Sequence, residues 1–285
     1  MTLLALIAFV AAVVNGALGY GFSAVAVPLA LLFVSNRELN PAIVVVEIAM
    51  NAWVLWHDRA QLPTVWRRVA LVALALPIGI VVGTAVLVHT DPTWLRFATY
   101  IALLPLILLQ AAGLRRAIRA EKTAGAALGA GVGLLYAVST IAGPPLALFL
   151  NNQGFTKGAF RAALGLVKLV AASLTLAAYA HSSLLTGPGL RLLPVLLPAI
   201  AIGLPLGRHL IRHVDPEAFR RLCMCFDAAI VAFGISALLR SLELVTGPAA
   251  YLPFALVVLY DLVIFARFRQ RAAGSAVPSL TQATP

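Results

Sequence analysis

Two ionisable residues stand in the middle of long apolar runs. Lys168 lies in the middle of the apolar run 158–180, and Glu47 lies in the apolar run 40–57. A charge at such depth needs an opposite charge or a wet cavity, so each is a functional candidate by default. An offset of 121 residues carries Glu47 onto Lys168. Three readings of the pair are open: a gate, a structural ion pair, or a couple that handles a proton and a substrate. Asn51, one helical turn after Glu47, is placed to line the same space.

A second kind of chemistry lies in two interruptions of long apolar runs. Asn15-Gly16-Ala17-Leu18-Gly19-Tyr20-Gly21 breaks the run 2–34, and Gly143-Pro144-Pro145 breaks the run 124–150. A helix broken within the membrane exposes the N-terminus of the half-helix that follows. Its unpaired N–H groups and positive dipole end suit an anion. Gly19, Gly21 and Gly143 let backbone approach a ligand closely, and Pro145 fits the first turn of a helix, where its missing N–H costs nothing. Ser23, Ser139 and Thr140 add hydroxyl donors. Broken backbone is tolerated at membrane depth only where protein or a wet cavity surrounds it, so the two breaks are expected to face each other at the midplane. The predicted substrate-binding set is Gly19, Gly21, Ser23, Ser139, Thr140, Gly143, Pro144 and Lys168, with Glu47 and Asn51 in coupling or gating. Asp227 and Asp261, also within apolar runs, are read as structural or oligomeric contacts, and His57 and His181 as interface anchors.

The elements that must position these residues are membrane helices. Of the 285 residues 62% are hydrophobic and 11% charged, with a mean hydropathy of +0.98. A soluble domain carries about 25% charged residues, so the chain is an integral membrane protein. Seven further apolar runs, at 40–57, 66–88, 94–113, 158–180, 189–211, 217–239 and 249–266, are near the ~20 residues one crossing helix needs.

The chain also repeats itself. At an offset of 124, Gly79, Gly83, Asp91, Pro92 and Arg96 fall on Gly203, Gly207, Asp215, Pro216 and Arg220. At an offset of 117 the broken runs align, with Gly16 on Gly133 and Pro28 on Pro145. The units are 1–120 and 124–240, followed by an added helix at 249–267 and a disordered tail at 272–285. Gly79-x-x-x-Gly83 and Gly203-x-x-x-Gly207 are read as close helix packing.

Charge decides the topology. If all nine runs cross, the Lys and Arg residues split almost evenly between the two faces. If 124–150 dips in and returns, every loop cation except Arg37, Arg96, Arg191 and Arg240 lies on the inside. Repeat symmetry extends the same behaviour to 2–34. Each unit then holds one broken, re-entrant segment and three crossing helices. Three is odd, so the second unit is inverted. The predicted fold is an all-α integral membrane protein of two inverted repeats with one extra C-terminal helix.

The net charge of +11 is read as orientation signal rather than nucleic-acid binding. Cys223 and Cys225, spaced as Cys-x-Cys on a helix, are read as packing residues rather than a disulfide. No nucleotide-binding loop, metal-spaced His/Glu set or nucleophile elbow is present in the sequence, so no catalytic residue, metal or cofactor is expected, and any pumping is gradient-driven. The N-terminus lacks a basic region and cleavage site and is read as mature protein.

The first broken segment, NGALGYGFSAVAVPLALLF at 15–33, together with AGPPLALFLNNQGFTKGAFRAALGLVKL at 142–169, resembles the TauE/SafE family of sulfite exporters. The most specific piece is Gly143-Pro144-Pro145 with Gln153-Gly154-Phe155-x-Lys157-x-x-Phe160-Arg161. The likeness spans about 1–240; the ninth apolar run and its Asp261 extend beyond the eight-segment family pattern. The resemblance implies a multi-pass inner-membrane transporter of sulfite, organosulfonates or related carboxylates, moved with or against protons. The expected partners are the small anion, lipid, protons and a second copy in a homodimer, with no nucleic acid. An uncoupled anion channel and a permease for small organic carboxylates are the alternatives; a membrane-embedded enzyme or assembly factor using Asp227 and Glu47 ranks last.

Overall fold

A computed structural model describes residues 2–111, 121–151, 155–185, 187–213 and 216–275. All regular structure in these residues is helical. The order is α1 (Thr2–Leu18), α2 (Phe22–Ala30), α3 (Asn36–His57), α4 (Leu62–His89), α5 (Pro92–Ala111), α6 (Glu121–Ser139), α7 (Gly143–Asn151), α8 (Lys157–His181), α9 (Gly187–Leu190), α10 (Leu193–Leu210), α11 (Pro216–Ser241) and α12 (Leu252–Ser275). Helix α12 includes the first four residues of the predicted tail; 276–285 lie outside the described residues, as do 112–120 and the Gln153-Gly154 motif.

Seven helices among the described residues are long and apolar enough to cross a bilayer, and they coincide with the seven unbroken runs of the sequence. Both broken runs are short of a single crossing helix: α1 and α2 are separated at 19–21, and α6 and α7 at 140–142.

Contacts define two ends of the bundle. At one end, Asp58 after α3 lies 3.7 Å from Arg161 of α8. There Arg68 of α4 sits over the Phe155 ring at 5.1 Å, and Arg208 of α10 over Trp53 of α3 at 5.8 Å. This end is basic. At the other end, the Arg37 guanidinium of α3 donates to the Leu87, Val88 and Thr90 carbonyls at the end of α4. Arg96 of α5 donates to the Val34 carbonyl there.

Each broken segment folds back on itself. A methyl group on Gly125, near the start of α6, would lie 3.9 Å from Phe149 Cζ near the end of α7. A continuous helix would separate residues so spaced by more than 30 Å at ~1.5 Å per residue. Helix α1 runs alongside α10 toward the basic end, and α2 returns to the Val34 end. So the α1–α2 hairpin starts from one end of the bundle and the α6–α7 hairpin from the other.

The packing is reciprocal. Helix α4 packs along α6 as α10 packs along α1, α3 packs on α8, α5 on α11, and α2 touches α11 as α7 touches α5. Helix α4 also packs extensively on α8, which the α3–α10 contact matches only weakly. Glycine makes the two tightest seams possible. A methyl on Gly79 would lie 2.6 Å from Leu134 N, and one on Gly207 would lie 2.8 Å from the Val13 carbonyl carbon. The two Gly-x-x-x-Gly motifs therefore serve close helix approach, as expected.

Candidate functional site

The second break is built by satisfying the end of a helix. The last four carbonyls of an α-helix lack intrahelical partners. For α6 each of them finds one: Tyr136 O accepts from Thr140 N at 2.7 Å, and Ala137 O from the Tyr179 hydroxyl of α8. Val138 O accepts from Asn36 and Asn40 Nδ2 of α3 at 3.1 and 2.5 Å, and Ser139 O from Thr140 Oγ1 at 2.7 Å. Thr140 itself takes the left-handed φ of 57°, a conformation that costs a β-branched residue about 1–2 kcal/mol. Ser139 Oγ donates back to Leu135 O at 2.7 Å. Both hydroxyls, predicted as donors to an anion, are buried and direct their protons into the chain's own carbonyls.

The first break uses glycine instead. Gly19 has φ of 82° and Gly21 of 108°, which glycine adopts without a Cβ penalty. Gly19 N closes α1 on Asn15 O at 2.7 Å, and Asn15 Oδ1 accepts from Phe22 N, at the start of α2, at 3.4 Å. Asn15 and Ser23 are buried in the turn.

Gly19 and Thr140, the two left-handed residues that end α1 and α6, are 121 positions apart, the offset that also links Glu47 to Lys168. The turn residues are thus spaced by 121, against the offset of 117 read from matching Gly and Pro. The gap in the second segment also lies just before Gly143-Pro144-Pro145. These three residues open α7, because proline is acceptable in a helix's first turn but not where a preceding helix needs its N–H.

The two breaks meet. A methyl on Gly143 would lie 3.5 Å from Tyr20 Cδ2 and 3.9 Å from Gly21 N. The starts of α2 and α7 are thus neighbours, and both are buried. They are unequal as anion receptors. Pro144 and Pro145 bring no N–H, and Leu146 N is bonded to Ala142 O at 3.2 Å, which leaves Gly143 as the N–H of the first turn of α7. Helix α2 has no proline in its first turn and no side-chain cap from Gly21.

Next to the second break lies the predicted charge pair. Lys168 Nζ and Glu47 Oε1 are 2.9 Å apart, with side chains 2% and 0% exposed. The Tyr136 hydroxyl donates to Glu47 Oε2 at 2.7 Å, and Tyr136 is one turn before Thr140. Asn51 Nδ2 donates to the Glu47 backbone carbonyl at 2.7 Å. Lys168, Glu47, Asn51 and Tyr136 thus join α8, α3 and α6 through one polar network. In this arrangement the lysine charge is matched by a carboxylate.

Asp227 lies apart on α11, fully buried, and neither of its oxygens has a hydrogen-bond partner among the described residues. Asp261 is on α12. A cavity of about 500 Å³ between α1, α2, α10 and α11, lined by Phe9, Val13, Phe219, Leu222 and Phe226 among others, is apolar and is no place for an anion. No group of three or more His, Cys, Asp or Glu suited to a metal occurs among the described residues.

Four contributors were not singled out from sequence, and a fifth, Arg161, entered only as the last residue of the family-like motif. Asn36, Asn40, Tyr136 and Tyr179 hold the second break, and Arg161 of α8 lies over the first. A methyl on Gly19 would stand 2.9 Å from Arg161 Nε. The available signal was polar residues at helical spacing inside apolar runs, with Asn36, Asn40, Glu47 and Asn51 on one helix.

Helical spans, with two hairpins whose half-helix starts meet in the interior, define a multi-pass membrane protein. The family model described as "Sulfite exporter TauE/SafE" matches residues 4–235. The chain belongs to the TauE/SafE family of sulfite exporters, a family of membrane anion exporters. No curated protein and no solved structure matches the chain.

Proposed function

We propose that the chain is a secondary transporter that exports small sulfur-containing anions, sulfite or an organosulfonate, across the inner membrane. The carrying observation is the meeting of the two breaks at Tyr20, Gly21 and Gly143. The anion sits between the starts of α2 and α7, facing their N–H groups and positive dipole ends. Sulfite as the substrate is supported by the family match.

The two units, 1–120 and 124–240, are inverted relative to each other, and one rocks against the other to alternate access. The reciprocal helix pairing supports this reading, as do hairpins that begin from opposite ends of the bundle. Export is coupled to protons. Glu47, Lys168 and Tyr136 form the gate beside the second break, with Asn51 steadying Glu47. Ser139 and Thr140 reach the anion only by rotating their hydroxyls away from Leu135 O and Ser139 O.

The test is efflux from liposomes holding the purified protein. Sulfite, sulfate, a taurine-like sulfonate and a small carboxylate are offered with and without a pH gradient. Sulfite or sulfonate efflux that steepens with the gradient is expected. Efflux indifferent to the gradient would make the protein an uncoupled channel, and carboxylate efflux alone would reassign the substrate.

A further inference from the structure

The contacts around Gly19 describe a second anion site, on the basic side of the first break. Arg161 is on the first turns of α8, and its side chain lies along the Gly19 backbone. A methyl on Gly19 would come within 2.9 Å of Nε, 3.0 Å of Cγ and 3.4 Å of Cδ. Glycine at position 19 thus serves two needs: the φ of 82° and room for the arginine. The neighbouring residues pack together too, since the Tyr20 and Phe160 rings meet edge-on at 6.2 Å.

The guanidinium is poorly partnered for so confined a group. Its Nε is buried and makes no hydrogen bond among the described residues. The nearest carboxylate, Asp58 Oδ2, stands 3.7 Å away, beyond hydrogen-bond range but within ion-pair range. A second cation, Arg208 at the end of α10, is near enough to act on Arg161 by repulsion, and is itself held over Trp53. Arg161 therefore has one carboxylate at ion-pair distance and a second cation within electrostatic reach. Unlike Lys168, both members of the pair remain reachable from water, with Arg161 25% and Asp58 22% exposed.

We propose that Arg161, assisted by Arg208, is the site where the small oxyanion first binds from the basic face, and that Asp58 is a resident counter-ion which the arriving anion displaces. A planar guanidinium fork fits two oxygens of sulfite or a sulfonate far better than it fits a single carboxylate oxygen at 3.7 Å. Once Asp58 is displaced, Arg161 holds the anion directly against the Gly19 turn. From there the start of α2 is three residues away. Asp58 also keeps Arg161 folded over the break when no anion is present. This rests on the proposed transport function, and adds to it the residue that admits the substrate and the group that competes with it.

The experiment uses the full-length protein in liposomes, with the half-saturating sulfite concentration for efflux as one readout. Tryptophan fluorescence titration with sulfite is the other. Asp58→Asn removes a partly exposed competitor and is expected to lower both half-saturation values about two- to fivefold, the range of exposed ion pairs. Arg161→Gln removes a charge-assisted contact and should raise them about tenfold or more. Arg161→Lys, which keeps charge without the fork, should fall between. In Asp58→Asn/Arg161→Gln the gain from Asp58→Asn should vanish. Unchanged or weaker sulfite binding by Asp58→Asn overturns the proposal, whether or not the Arg161 variants fold. If the wild-type protein moves no anion, the transport function fails. The titration then judges the site alone: tighter sulfite binding by Asp58→Asn upholds it, and equal binding overturns it.

Discussion

Removing one member of the Glu47–Lys168 pair should harm the fold far more than removing both. The charges are 2.9 Å apart and essentially unexposed. At an effective dielectric constant of about 20 the attraction is ~6 kcal/mol, offset by several kcal/mol of desolvation for each ion. Breaking a buried pair by deleting one partner typically costs about 3–5 kcal/mol, because the other charge is stranded. Lys168→Met leaves the Glu47 carboxylate with the Tyr136 hydroxyl as its remaining side-chain partner among the described residues. Glu47→Gln keeps an acceptor for Tyr136 but strands the ammonium. Each single variant should lose about 3–5 kcal/mol, and Glu47→Gln/Lys168→Met should lose at least ~2 kcal/mol less than the sum. The assay is reversible unfolding of the purified protein in mixed micelles, run as a double-mutant cycle. Additivity within about 0.5 kcal/mol, the behaviour of independent sites, would refute the reasoning and reduce the pair to a bystander contact.

Further outcomes follow from the same contacts. Gly207→Ala should destabilise by about 1–3 kcal/mol through overpacking, because its methyl meets the Val13 backbone. Gly131→Ala, with nothing within 4 Å of the new methyl, should be neutral or stabilising by up to about 1 kcal/mol; the same unfolding assay compares them. Asp227→Leu should raise the thermal midpoint, since it replaces a buried carboxyl with no partner among the described residues by an apolar group. A fall in the midpoint would mean that Asp227 has a role the fold does not reveal. Asp91, at the start of α5, accepts from Thr93 N at 2.8 Å and Trp94 N at 3.3 Å. These bonds hold its carboxyl below the usual aspartate pKa. Because the folded value is the lower one, the stabilisation is present above pH ~4 and fades as pH falls through the folded pKa. Asp91→Ala should therefore cost more stability at pH 7 than at pH 2, as read by denaturant titration; an equal cost at both would contradict this.

Much of this architecture was legible in the sequence because a membrane makes its demands locally. Runs of about 20 apolar residues, and Gly or Pro inside them, carry the signal without any knowledge of distant contacts. Glu47 and Lys168 were legible for the same reason: an ionised group in an apolar run must be matched. The correspondence of the two breaks was less so. One broken segment turns on Gly19 and the other on Thr140, so matching residue types led to an offset of 117 while these two turn residues are 121 apart. Asn36, Asn40 and Tyr179 escaped notice because the carbonyls they satisfy are 102, 98 and 42 residues away. Arg161 was read only as one of many loop cations that set orientation and as the last residue of the family-like motif. Only folding brings it over Gly19 and beside Asp58.

Counterflow of labelled sulfite into liposomes, wild type against Gly143→Leu, tests most directly whether the anion passes between the two breaks. Position 143 faces Tyr20 and Gly21, and a leucine there fills the space between the starts of α2 and α7. Saturable uptake by the wild type is expected, and uptake at the protein-free level by a variant with an unchanged unfolding curve. Equal counterflow in both would contradict the account, because sulfite would then be crossing somewhere other than the meeting of the breaks.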